Sequence, residues 1–250
     1  MRVELSPAYL IHQRPYRDTS LLIEFLTRDH GRIGAIAKGV RGRKNNLAAV
    51  LQPFNALLIS WSGKNELVTL SQAELQRPSA TLAGITYLSG LYANELLYKL
   101  LHRGETFPET FHAYERLLST LTRENEIAEN LRYFEMDLLR DLGYELLLTQ
   151  EGHSEDPVDP EAWYRYVPDT GPLRVSSRFE KGVIVQGSSL LALSRKQLPD
   201  KQSRIEARKV TKLALNEILG NKPLASQELL KKWFNFGNEK SRSNTVNESN

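Results

Sequence analysis

Six basic side chains (Arg28, Arg32, Lys38, Arg41, Arg43 and Lys44) lie between positions 28 and 44, against a single acid, Asp29. Within that stretch Lys38-Gly39-Val40-Arg41-Gly42-Arg43-Lys44 sets cations on a backbone loosened by glycine, so they can conform to phosphates whose spacing is not fixed in advance. Each phosphate neutralised in this way releases condensed counterions, which gives affinity without reading any base. Arg14 and Arg17 flank Pro15 and Tyr16, and Tyr16 is the aromatic best placed to stack on a base. Phe25 and Phe54 read as core residues, and Trp61 at a strand end is open to either role. A basic loop alone is equally well a solvated hairpin; its partners elsewhere in the chain decide.

Those partners lie near the other end. Arg195, Lys196, Lys201, Arg204, Arg208, Lys209 and Lys212 form a second basic set, in which Arg204/Arg208 and Arg208/Lys212 are helical i, i+4 pairs. Like charges so spaced repel by a few tenths of a kcal/mol, so a phosphate or an acidic neighbour must compensate them. Charge is segregated along the whole chain. Residues 1–80 carry +5, 81–150 carry −5, 151–180 carry −4 and 181–250 carry +7, within a net charge of +3. Basic ends around an acidic middle suggest a surface for a polyanion.

Other chemistries find little support. The sequence has no glycine-rich phosphate loop, nucleophile elbow or paired-histidine metal motif. Gly31-Arg32-Ile33-Gly34 reads as hairpin glycines rather than a phosphate clamp. With no cysteine among 250 residues, disulfides, thiolate zinc fingers, iron-sulfur clusters and cysteine nucleophiles are excluded. His12, His30, His102, His112 and His153 are scattered, and the acids Glu151, Glu155, Asp156, Asp159 and Glu161 read as a solvated loop. No metal or other cofactor is expected. The N-terminus lacks a signal-peptide pattern, and no run approaches the ~18 apolar residues of a spanning helix. A soluble, cytoplasmic, non-enzymatic protein is the expectation.

The elements that must position these groups fall into two styles. Ala8–His12, Ser20–Leu26, Arg32–Ala37, Ala56–Trp61 and Leu67–Leu70 are five short apolar runs separated by turn-forming stretches, the size of an OB-type barrel. After Pro78 the period becomes helical, with helices over 85–104, 108–121, 128–142, 204–219 and 226–234. Residues 150–186 read as an irregular excursion with short strands near Trp163–Val167 and Val183–Val185. The fold class is therefore α+β: a five-stranded OB-type barrel over 1–80, a helical domain over 81–236 that includes the excursion, and a disordered tail over 237–250.

Arg14-Pro15-Tyr16-Arg17-Asp18-Thr19-Ser20-Leu21, Ala37-Lys38-Gly39-Val40-Arg41, Leu51-Gln52-Pro53-Phe54, Asn94-Glu95-Leu96-Leu97, Leu131-Arg132-Tyr133-Phe134-Glu135, Leu142-Gly143-Tyr144 and Lys222-Pro223-Leu224 occur in order from about residue 7 to 234. Together they resemble the RecO family of bacterial recombination mediators, most of all its gammaproteobacterial branch. The resemblance implies a nucleoid-associated protein that binds single- and double-stranded DNA and anneals complementary strands. It also implies RecR as a stable partner and, indirectly, RecA and RecF, with RecA loaded onto strands coated by single-strand-binding protein. DNA contacts are expected from Arg14, Tyr16, Arg17, Arg32, Lys38, Arg41, Arg43, Lys44, Arg204, Arg208 and Lys212. The tail of single-strand-binding protein is acidic and ends in an apolar residue with a free carboxylate, and Arg132 is the expected cation for it. A surface salt bridge from Arg132 to Glu129 or Glu135 is the alternative. Many members carry a four-cysteine zinc module after the Leu-Gly-Tyr motif; here Gln150–Tyr164 has no cysteine, so packing alone is expected to hold that region. An RNA-binding OB protein would use the same loop, and a nuclease would need convergent carboxylates.

Overall fold

The computed structural model describes residues 2–42, 47–63, 66–220 and 222–230. They belong to two compact units. One comprises the chain up to Phe111, Leu118–Glu124 and the segment from Pro223 on, and the other His112–Leu117 and Asn125–Lys222.

In the first unit β1 (Arg2–Tyr16), β2 (Ser20–Thr27), β3 (Gly31–Ala37), the short α1 (Leu47–Val50), β4 (Ala56–Ser62) and β5 (Leu67–Arg77) form a closed barrel in the order β1-β2-β3-β5-β4. Only the β3–β5 pairing is parallel. This is the OB-type architecture expected from the five apolar runs.

Closure falls on β1. Its first half pairs with β4 and its second half with β2. Fifteen residues at about 3.3 Å each span roughly 50 Å, too long for one straight barrel stave. Register shifts at Val3/Ser6 and Leu10/His12 bend it instead. Both β1 and β5 run well beyond the apolar runs that announce them. Their extensions, through Arg14 at one end and Ser71, Gln72, Glu74 and Gln76 at the other, are exposed and polar, so no alternation marks them as strand.

The interior is filled by Leu10, Ile23, Phe25, Leu57, Ile59 and Trp61 with smaller neighbours, which makes Trp61 a core residue. Against the barrel lies α2 (Gly84–Leu100), contributing buried Tyr92, Leu96 and Leu97. Gly90 is required on that helix, because a Cβ there would stand 2.7 Å from the ring of Phe54. α3 (Pro108–Thr120) follows.

The second unit packs α4 (Ile127–Asp141), β6 (Trp163–Val167), β7 (Gly171–Val175), β8 (Val183–Gln186), α5 (Gly187–Ser194) and α6 (Lys201–Leu219). The excursion is ordered: its strands form a sheet in the order β7-β6-β8. Tyr164, Tyr166 and Val185 on one face of that sheet join Leu190, Leu193, Ala207 and Val210 in a single core. α5 is not legible in the sequence because eight residues are too few to show a 3.6-residue period beside turn-like Gly187-Ser188-Ser189. α6 starts where Asp200 accepts the backbone N–H of Ser203 at 2.8 Å and stops at left-handed Gly220. The expected tail over 237–250 and the end of the last expected helix lie outside the described residues.

Candidate nucleic-acid interface

One end of the barrel gathers part of the first basic set. Tyr16 pairs with Ser20 across the β1–β2 turn, and Leu21 pairs with Ala37, so Lys38 leaves β3 beside that turn. The two loops are joined: Arg41 donates its backbone N–H to the Thr19 carbonyl at 3.0 Å and reaches the Arg17 carbonyl with Nη1 at 3.5 Å. The guanidinium of Arg17 lies 5.3 Å from the centre of the Tyr16 ring. Arg17 occupies the left-handed backbone region at φ 51°, an arrangement costing about 1 kcal/mol for a residue with a Cβ. Arg14, Arg17, Lys38 and Arg41 are exposed, and among the described residues none of the four has an acidic partner. The structure thus brings Arg14, Tyr16, Arg17, Lys38 and Arg41 together; Arg43 and Lys44 lie outside the described residues.

Arg32 is not part of this surface. Its side chain is nearly buried, holds Glu24 at 2.9 Å, and donates to the carbonyls of Tyr98 and Leu101. Arg103 grips the same carboxylate from the chain beyond α2, and Glu24 beside it raises the pKa of Arg103. The Arg103 guanidinium lies against Gly34, where a Cβ would stand 2.8 Å from it. The Gly31-Arg32-Ile33-Gly34 motif therefore serves an internal ion pair. The sequence signal for its partner is a lone Glu within the apolar run of β2. His12 stacks on Tyr98 at 4.2 Å; burial lowers its pKa, with Glu24 opposing that shift and Arg14 and Arg32 adding to it.

In the second unit six of the cations are engaged by acids. Arg132, expected to meet a partner's carboxylate, is buried and bonded to Glu135 at 2.5 Å, so it stands at no groove mouth. Arg204 holds Glu129 at 2.6 Å and the Leu198 carbonyl at 3.2 Å, which is the acidic compensation its helical spacing called for. Arg208 and Lys212 remain exposed on α6. Asp137, buried, is bracketed by Arg116, Arg140 and Lys196 at 3.1, 3.2 and 2.7 Å.

The excursion is held by more than packing. Arg174 binds Glu151 and Asp159, each at 3.0 Å, and the Tyr164 hydroxyl donates to Glu151 at 2.9 Å. Two acids expected to be merely solvated are thus drawn onto an arginine. The bonds from the Glu161 N–H and Arg174 hold Asp159 below the usual carboxylate range. A segment without thiolates, with these acids already committed, does not fit a zinc ion, and no group of three metal-ligating side chains occurs among the described residues.

Nearby, an open groove of about 720 Å³ has Tyr133, Leu191 and Leu198 among its lining, with Arg195 and Lys196 also bordering it. Among the described residues no helix is long and apolar enough to cross a membrane.

A closed OB-type barrel, with exposed cations on its joined loops beside an aromatic ring, is the class of fold this structure defines. Comparison narrows it. The family described as "Recombination protein O N terminal" matches residues 1–79, and "Recombination protein O C terminal" matches 82–228. The DNA repair protein RecO of Nitrosococcus oceani is 41% identical over 238 residues, 95% of this chain and 97% of that protein. Its counterpart in Coxiella burnetii is 41% identical over 229 residues, covering 92% and 98%, and that of Serratia proteamaculans 39% over 227, covering 90% and 93%. The chain belongs to the RecO family of DNA repair proteins.

Proposed function

We propose that this protein is a non-enzymatic mediator of recombinational repair. It binds single- and double-stranded DNA, anneals complementary strands and, with RecR, promotes RecA loading onto strands coated by single-strand-binding protein. The observation that carries the reading is the exposed cluster of Arg14, Arg17, Lys38 and Arg41 with Tyr16 at the barrel end, in which none of the four cations has an acidic partner among the described residues. Annealing needs no nucleophile: a cationic surface lowers the repulsion between two polyanions and raises their local concentration until base pairing takes over. Arg208 and Lys212, exposed on α6, offer a second set of phosphate contacts.

The receptor for the acidic tail of single-strand-binding protein moves from Arg132 to the groove beside Tyr133, Leu191 and Leu198, with exposed Arg195 as its cation. An apolar floor beside a guanidinium suits an apolar terminal residue with a free carboxylate.

Replacing Lys38, Arg41, Arg43 and Lys44 together by Ala tests the reading. DNA affinity should drop, and its log–log dependence on salt should flatten by about one for each phosphate that is no longer neutralised. Unchanged affinity at both low and high salt would end the proposal, and a preference for RNA over DNA in a competition titration would redirect it to RNA. Annealing of coated oligonucleotides, with and without the tail of the coating protein, tests the groove through Arg195→Glu.

A further inference from the structure

The connection from β7 to β8 crosses the outer face of the small sheet, because β6 lies between two strands that both run antiparallel to it. Tyr164 and Tyr166 point from β6 into the core, so the alternating residues Trp163 and Arg165 belong to the outer face. The crossing loop, residues 176–182, is ordered by its own hydrogen bonds. Ser176 N–H donates to Glu180 Oε1 at 3.1 Å, and Phe179 N–H donates to Ser177 Oγ at 3.2 Å. Where the loop rejoins the sheet it lies close to the stem of Arg165: a Cβ on Gly182 would stand 3.1 Å from Arg165 Cδ.

This self-bonded loop holds Phe179 out in solvent. The ring residue is 82% exposed, whereas the next most exposed large hydrophobic, Leu147, is 49% exposed. Arg178 lies with its guanidinium 4.9 Å from the ring centre. Arg165, Arg178 and Lys181 have no acidic partner among the described residues, in a unit where most other arginines do.

We propose that Phe179, flanked in its loop by Arg178 and Lys181, is a stacking site for one base of a single-stranded nucleic acid, with those two cations on the adjoining phosphates. It is separate from the barrel-end cluster. The proposal rests on the DNA-binding reading and adds to it a contact in the second unit. A single ring presented among unopposed cations suits a base and its sugar-phosphate flanks, because any base offers a π-face and the guanidinium can extend the stack. A protein partner would instead call for several neighbouring apolar side chains around a central anchor. Phe179 is the loop's lone large hydrophobic.

The test uses the full chain and a fluorescein-labelled oligo-dT titrated by anisotropy at several salt concentrations. Phe179→Ala should weaken binding about 5- to 100-fold while leaving the salt slope unchanged, and Phe179→Trp should restore affinity. Arg178→Ala with Lys181→Ala should reduce the slope by about 1.4, the two-phosphate value for a single strand. The ring touches none of the core, so melting temperature should stay at the wild-type value and serves as the folding control. Wild-type affinity in Phe179→Ala overturns the proposal, and so does restoration of its binding by Leu as fully as by Trp, which would mark a merely apolar contact. The arms also separate the two readings: a wild-type chain that binds no oligonucleotide defeats the DNA-binding reading itself. A chain weakened by Lys38→Ala and Arg41→Ala but indifferent to Phe179→Ala defeats only this site.

Discussion

The barrel end and the second unit hold basic side chains of the same kinds, yet the described cations at the barrel end lack an acidic partner while six of those in the second unit are held by one. At the barrel end Arg14, Arg17, Lys38 and Arg41 sit on a strand end and two turns with no carboxylate taking them up among the described residues. In the second unit Arg132, Arg204 and Arg174 are each held by an acid, and Asp137 collects three cations. The number of basic residues therefore does not tell which cations stay free; what matters is whether a carboxylate packs against each of them. The barrel supplies its own counter-example. Arg32, six residues before Lys38, closes on Glu24 and becomes part of the scaffold.

The largest expected effect breaks that scaffold. Glu24→Gln leaves Arg32 and Arg103 buried or half-buried without their shared carboxylate, which should cost about 3–5 kcal/mol of stability. Urea unfolding checks it, and a drop under about 1 kcal/mol would mean the pair is no more than a surface bridge. Next, Asp137→Asn frees Arg116, Arg140 and Lys196 from their common partner. Because those cations are half-exposed and can turn to water, the cost should be only about 1–3 kcal/mol. Nonspecific DNA affinity at low salt should rise, making the second unit behave more like the barrel end.

Arg17→Gly sharpens the contrast from the other side. Relief of the left-handed backbone, φ 51°, offsets the added freedom of glycine in the unfolded chain, so stability should change by less than about 1 kcal/mol. The DNA salt slope should nevertheless fall by about one. A variant that unfolds with its slope intact would assign Arg17 a structural role only.

The smallest effect is one of pH. Burial depresses His12, so the folded chain takes its proton less readily than the unfolded chain. Its contribution is complete above the ordinary value of 6.5 and is lost as pH falls through the folded value. Burial pushes Glu95 up, but bonds from the Ser226 hydroxyl and N–H, the Ala225 N–H and Lys99 outweigh it and leave that carboxyl below its ordinary 4.5. Its share should therefore survive to more acidic pH. Melting temperatures from pH 8 downward should show the His12 step first, and His12→Gln should remove that step alone.

Local pattern carried much of the architecture. Five apolar runs broken by Gly, Pro and Asp turns specify a small barrel, since alternate residues must face one interior. The stripes over α2, α3 and α4 specify helices because residues three and four apart share a face. The basic loop was equally plain, and so was the absence of thiolates. What escaped was polar strand, such as the second half of β5, and short elements such as α5, where neither period has room to repeat. The fate of each cation escaped too. Arg132 is the exception: its bridge to Glu135, three residues on, stood as the alternative reading, though at the surface rather than buried. Arg103 reaches Glu24 across 79 positions, and Arg174 reaches Glu151 across 23. Side-chain type and spacing place a charge on an element. Whether it meets a carboxylate or water depends on which distant segment packs beside it, because ion pairing acts over a few ångströms of space and takes no account of distance along the chain.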